Sequence, residues 1–363
     1  METDLAYFPG GLEVLDRLRR LFVERDQGLV LASMNVPCAA IAQFALDHVA
    51  GPCDYPDPQE RIDFWDICLR ERLTIHDDSV PSVYLTEMDQ GLYGGLAGGK
   101  ARFLCDAGTG WISSMVEPML SDLSELERLS LQTEGGWLER YTRQLEIYIQ
   151  KAQGRFGISH FILIDGLNFL FELVGATQTY LETIERPELV RQAIDFAFGL
   201  NVRVQRMFFE KASLWEGGTF SNMVKWIPGR IVSESIDPFH MASVDYFEEW
   251  GRANAERMFN EFDGGVIHIH GNGRHLMEAA SSLKGLKAIW LGDDRGFPLA
   301  FDVVNELKSR VGSMPLLLTV PFDAFTDSLE RRALTKGVFY NVTNVPDAAT
   351  ANRVMDKVRA YST

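Results

Sequence analysis

After Cys105 this chain contains no cysteine at all, and the four it has, Cys38, Cys53, Cys68 and Cys105, form neither a Cys-x-x-Cys pair nor a dense disulfide spacing. A disulfide framework is thereby excluded, and reduced thiols in a cytoplasmic protein are the expectation. Basic residues are also scarce: 35 Lys and Arg stand against 51 Asp and Glu, a net charge of −16. Such a surface repels phosphate backbones and anionic lipids, so neither nucleic acid nor membrane is an expected partner. No apolar run reaches membrane-spanning length, and the acidic start Met1-Glu2-Thr3-Asp4 lacks the basic and apolar regions of a signal peptide. Low-complexity tracts and internal repeats are missing too. Disorder is excluded by the 46% hydrophobic content, which includes 23 Phe and 7 Trp.

What the chain does have is a rhythm. Short apolar, β-branched runs alternate with longer amphipathic stretches, as expected of βα units around a parallel sheet. The runs are Leu29 to Val36, Ser82 to Glu87, Phe161 to Gly166, Arg230 to Ile236, Gly265 to Gly271, Leu286 to Gly292, Leu316 to Pro321 and Val338 to Val345. Eight of them predict an α/β fold of the (β/α)8 TIM-barrel type, one domain over residues 1–363, with residues 1–78 partly an N-terminal helical cover. Pro187 opens a predicted helix to Lys211, and Ser243 can cap a second from Val244 to Phe262.

Polar residues collect where the strands end. Asn35, Glu87, Asp165, Glu234 with Asp237, His268 with His270, Asp293 with Asp294, and Asn341 with Thr343 all follow apolar strand bodies. In a (β/α)8 barrel these ends converge on the face that carries active sites. The densest chemistry lies in Val266-Ile267-His268-Ile269-His270-Gly271-Asn272-Gly273. A strand alternates its faces, so His268 and His270 point to one side together and can hold a borderline metal such as zinc. Hydrogen-bonded imidazoles lining a pocket are the alternative.

Other motifs weigh less. Gly91 to Gly99 lacks both phosphate-cradle spacings and reads as a loop after the second strand, able to lie over the barrel mouth as a lid. Gly108-Thr109-Gly110 reads as a hairpin turn. Arg274 and Asn272 follow the imidazole pair at a helix start, where a substrate carboxylate can be gripped. His48, His76 and His160 fall outside the ring of strand ends and read as structural, and His275 as a surface residue; Tyr84, Trp111, Trp226 and Trp290 are candidates to line a cavity.

The order of these features resembles the uroporphyrinogen decarboxylase superfamily, from roughly Ser82 to the C-terminus and most clearly over Ser243 to Asp294. One branch of that superfamily comprises zinc-dependent methyltransferases acting on methylated corrinoid proteins. Its fifth-strand motif is His-x-Cys-Gly, with a further Cys near the last strand; these three ligands bind zinc, which activates a substrate thiol. His268 matches the family His, whereas position 270 is His and the downstream Cys is lacking, with Asn341, Thr343 and Asn344 in its place. The change removes two thiolates, so a carboxylate or third imidazole would have to compensate: Asp293, Asp165, Glu234, Glu87 or His240. The decarboxylase branch fits less well, because its Arg-rich N-terminal signature has no counterpart near Met34 or Asn35.

The resemblance implies methyl transfer at the strand ends, with zinc on His268 and His270, Asp165, Asp237 and Asp293 as catalytic candidates, and Arg274, Asn272, Glu87 and Asn35 as substrate contacts. The implied partners are a small-molecule substrate and a separate corrinoid protein. A metal-free decarboxylase or other lyase acting on a small carboxylated substrate, and a non-catalytic ligand-binding barrel, are the alternatives.

Overall fold

The computed structural model describes residues 5–129, 136–159 and 162–361. Its strands, in chain order, are β1 (Val30–Met34), β2 (Gly51–Cys53), β3 (Ser82–Tyr84), β4 (Ala101–Asp106), β5 (Trp111–Val116), β6 (Gly157–Ser159), β7 (Ile162–Leu163), β8 (Gly218–Ser221), β9 (Lys225–Pro228), β10 (Val232–Ser235), β11 (Gly265–Ile269), β12 (Leu286–Leu291), β13 (Leu316–Pro321) and β14 (Val338–Thr343). Seven form one parallel sheet in the order β1-β14-β13-β12-β11-β10-β7, while β3 and β6 form a separate parallel pair. The fold is thus mixed α/β around a large parallel sheet. All eight expected strand runs carry a parallel strand, although His160 and Phe161 lie outside the described residues.

The two faces of the large sheet pack differently, because alternate residues belong to alternate faces. Val30, Ala32, Ile267, Ile289, Leu316 and Leu318 join the main core with the surrounding helices. Leu31, Val266, Ala288, Leu317 and Phe339 instead pack with the helix Leu12–Phe22 and the antiparallel hairpin β8–β9. This second face carries His268, opposite Ser235 on β10 and Trp290 on β12.

At β1 the sheet has an edge. There the backbone N–H groups of Ala32 and Met34 donate to carboxylates rather than to another strand: to Asp78 Oδ2 at 2.9 Å and to Asp77 Oδ2 at 2.6 Å. Arg17 and Arg72 in turn hold Asp78 and Asp77. Buried N–H groups need acceptors, and two paired carboxylates supply them here.

Three local expectations changed. The stretch after β3 is a short helix, Gly91–Leu96, buried throughout, in place of a lid-forming loop. Its glycines serve close packing: a Cβ on Gly95 would lie 2.6 Å from the Trp137 ring and one on Gly91 2.7 Å from Ser114 Oγ. The helix expected from Val244 to Phe262 is two, Val244–Trp250 and Arg252–Glu261, meeting at Gly251, where any side chain would strike Phe247 and Phe239. Ser243 does cap the first, its Oγ accepting from Tyr246 N at 3.2 Å. The second expected strand stops at Tyr84, and Thr86–Met88 forms a tight turn. As expected, Pro187–Lys211 is helical and Asp106 to Trp111 turns a hairpin between β4 and β5.

Candidate metal centre

β11 ends in Ile269, and His270 follows it in extended conformation, so His268 and His270 project on the same side. Beyond β10 the turn Asp237–Phe239 brings Asp237 to the same place. Asp237 Oδ1 stands 2.9 Å from His268 Nε2 and 3.8 Å from His270 Nε2, and the ligand atoms of the three residues lie within 4.8 Å of one another. Two imidazole nitrogens and a carboxylate oxygen gathered this closely can serve as ligands to a cation.

His240 adds a third imidazole. Its Nδ1 lies 3.4 Å from the same Asp237 oxygen, and its ring centroid is 5.5 Å from that of His270. Gly273 makes room for it, since a Cβ there would sit 2.1 Å from the His240 ring. Burial pushes the His240 imidazole down to about 4, against the attraction of Asp237, so it is neutral near pH 7. Burial would also raise the Asp237 carboxyl, but the hydrogen bond and charge of His268, with smaller effects of His240 and His270 when these are protonated, override it and hold the group down at about 2. An ionised carboxylate is thus ready at the centre of three imidazoles.

His270 has an outer partner as well. Its Nδ1 lies 3.0 Å from Asp294 Oδ1, while Asp294 Oδ2 accepts from Gly271 N at 2.7 Å. A carboxylate behind a ligand imidazole fixes its tautomer and leaves Nε2 as the free lone pair. His268 has no such support: its Nδ1 is buried without a hydrogen bond, beside Trp290 at a ring separation of 5.9 Å. Asp89 is near enough for His268 to lower it, but burial dominates and raises its carboxyl to about 6; it accepts from Tyr84 Oη at 2.7 Å.

The remaining candidates scatter. Glu234 pairs in register with Ile267 and Leu163, on the helix-covered face, and burial with Asp165 nearby raises its carboxyl well above the ordinary range. Asp165 accepts from Asn254 Nδ2 at 2.8 Å among the helices, and burial pushes it up to about 6. The structure brings neither into the cluster of Asp237, His268 and His270: Glu234 belongs to the other face of its strand, and Asp165 stands at the start of the helix Gly166–Val174 with Asn254 as its partner. Glu87 is held by Arg61 and accepts from Gln144 at 2.7 Å, a buried ion pair that leaves it no role as an open substrate contact. Asp293 accepts from Ala300 N at 2.6 Å and faces Arg274 at 3.3 Å. Arg274 is buried and donates to the Pro298 and Gly292 carbonyls, pinning the loop that follows β12 rather than presenting an open fork. Asn272 is half-buried in the turn after His270, and Asn35 is exposed at the end of β1.

His48 stacks on Phe44 at 3.8 Å, His76 is exposed, and His275 bonds the Ala242 carbonyl at 2.7 Å, whereas His160 lies outside the described residues. Trp226 is core, its Nε1 donating to the Trp215 carbonyl at 3.0 Å. Sequence reasoning had Asp237 as a catalytic group and not as the third ligand, and it missed Asp89. Asp237 was reachable from its place just past a strand end; Asp89 had no signal beyond proximity to β3.

The arrangement defines an α/β protein with two imidazoles and one carboxylate clustered at the C-terminal ends of parallel strands. Among solved structures the chain is similar to a methyltransferase from Methanosarcina mazei, with a TM-score of 0.60 at 13% identity over 96% of this chain and 99% of the other. At that identity the likeness speaks for the fold. No protein-family model and no curated protein matches the sequence.

Proposed function

We propose that this chain is a metal-assisted methyltransferase, built as a closed eight-stranded barrel of the uroporphyrinogen decarboxylase type. The barrel reading is supported by the strand order, in which the β3–β6 pair would complete the circle between β1 and β7, with β6 and β7, successive in sequence, counted as one of the eight strand positions. Likeness to a methyltransferase fold over nearly the whole chain supports the enzyme class. The observation that carries the metal reading is the clustering of Asp237, His268 and His270, with one potential ligand atom from each within 4.8 Å of the others.

These residues fit a divalent ion. Neutral imidazoles and one carboxylate suit zinc, and three protein ligands leave a position for a reactant. A bound zinc would supply Lewis-acid activation of a thiol or similar nucleophile. The chain's own residues have separate tasks: Asp294 orients His270, His240 stays neutral beside the ligand set, and Asp237 provides the only charge among the three ligands. A corrinoid protein as methyl donor and a small molecule as acceptor complete the proposal.

The test is elemental analysis of the purified chain, together with methyl transfer from methylcobalamin to a small thiol. Stoichiometric zinc and turnover, both abolished by His268→Ala, are expected. Metal-free protein whose turnover is unchanged by that substitution sinks the reading.

A further inference from the structure

A cavity of about 510 Å³, whose lining includes none of the three ligands, is walled by Ser33 and Asn35 at the β1 end and by Tyr84 at the end of β3 with Thr86 just beyond it. The tip of the β8–β9 hairpin, Ser221, Asn222 and Lys225, also lines it. Three observations bear on what it holds. The first is polarity: Asn222 Oδ1 and Trp65 Nε1 are buried without a hydrogen-bond partner among the described residues. Such groups are costly unless something polar meets them.

The second is charge. Arg17 and Arg72 stand on the wall, each fixed by a carboxylate: Arg17 by Asp78 at 2.8 Å and Arg72 by Asp77 at 2.8 Å. The Lys225 ammonium makes no hydrogen bond or ion pair among the described residues and lies 6.0 Å from the Phe339 ring centroid. A net positive lining is thus left in a chain of net charge −16. Burial, with the Arg72 charge, pulls the Lys225 ammonium down to about 8, which a bound anion would reverse. The third is shape: Trp65, Trp111 and Tyr84 give the cavity aromatic walls, and its volume exceeds what an inorganic ion fills.

We propose that this cavity binds a small organic acid, its carboxylate or phosphate group against Lys225 and its apolar body between the aromatic side chains. The proposal does not depend on the metal centre, because none of Asp237, His268 and His270 lines the cavity.

Isothermal titration calorimetry on the full chain with benzoate, succinate and phenyl phosphate tests it, inorganic phosphate serving as the small-ion control. At least one organic acid should bind one to one, more tightly than inorganic phosphate. Lys225→Met should weaken it by at least about tenfold, and Lys225→Arg should restore much of the loss. Should Lys225→Met not fold, Trp65→Phe carries the test, keeping the ring but deleting the donor, with a loss of about threefold or more expected. Binding of no probe with a Kd below about 10 mM, or binding that these variants leave unchanged, overturns the proposal. Asp237→Asn should leave acid binding intact, so failure here and failure of the metal reading are told apart.

Discussion

Two groups of ionisable side chains near the ends of β10 and β11 have opposite characters. Asp237, His268 and His270 converge on the hairpin-covered side of the sheet, with the carboxyl held down by the surrounding imidazoles. Asp165 and Glu234 lie toward the helices, where burial raises both carboxyls and a second carboxyl adds to the effect on Glu234. Glu234 and Ser235 are neighbours in sequence, yet only Ser235 pairs with His268. Parity along a strand separates a candidate site from a packing interface, and hydropathy at strand ends does not.

The comparison breaks most visibly at Asp237. Asp237→Asn removes the only charged ligand, and divalent-metal affinity should fall by more than about 100-fold in a chelator competition. Glu234→Gln should leave that affinity unchanged; a comparable drop would erase the distinction between the two groups. Asp294→Asn deprives His270 of its outer partner, and a loss of about 10 to 100-fold in the same assay is expected.

Gly273→Ala forces a methyl group into the His240 ring and should cost about 1 to 3 kcal/mol in urea unfolding, with weakened metal binding. The smallest effect is on pH dependence. Asp165 has a folded value near 6, above its unfolded one, so the folded state retains the proton longer. Its contribution to stability is present in acid and is lost as pH rises from about 4 toward 6. Urea unfolding across that range should show a shallower decline for Asp165→Asn than for the native chain.

The parallel strands were legible because buried runs of Val, Ile and Leu punctuated by Pro and Gly have few other solutions. His268 and His270 were legible because two-residue spacing in a strand fixes their side. Asp237 was visible only as one polar strand end among many; that it joins the imidazoles depends on the turn after β10. Arg274, Asp293 and Glu87 looked like site residues from position, yet the structure engages them in loop and core contacts that cross as many as 57 residues of sequence. Gly91 to Gly95 looked mobile because glycine frees the backbone, but here it serves contact with Ser114 and Trp137, which no local pattern encodes.

The carboxylates at the β1 edge have a consequence for association. An exposed strand edge invites a neighbouring chain to add a strand, because its N–H groups are ready donors. Here the Ala32 and Met34 donors are already taken by two buried carboxyl groups that Arg17 and Arg72 hold in position. Asp77 and Asp78 therefore stand in for a neighbouring strand at β1, so that this stretch of backbone is satisfied within the chain and offers no free N–H at Ala32 or Met34 to a second molecule.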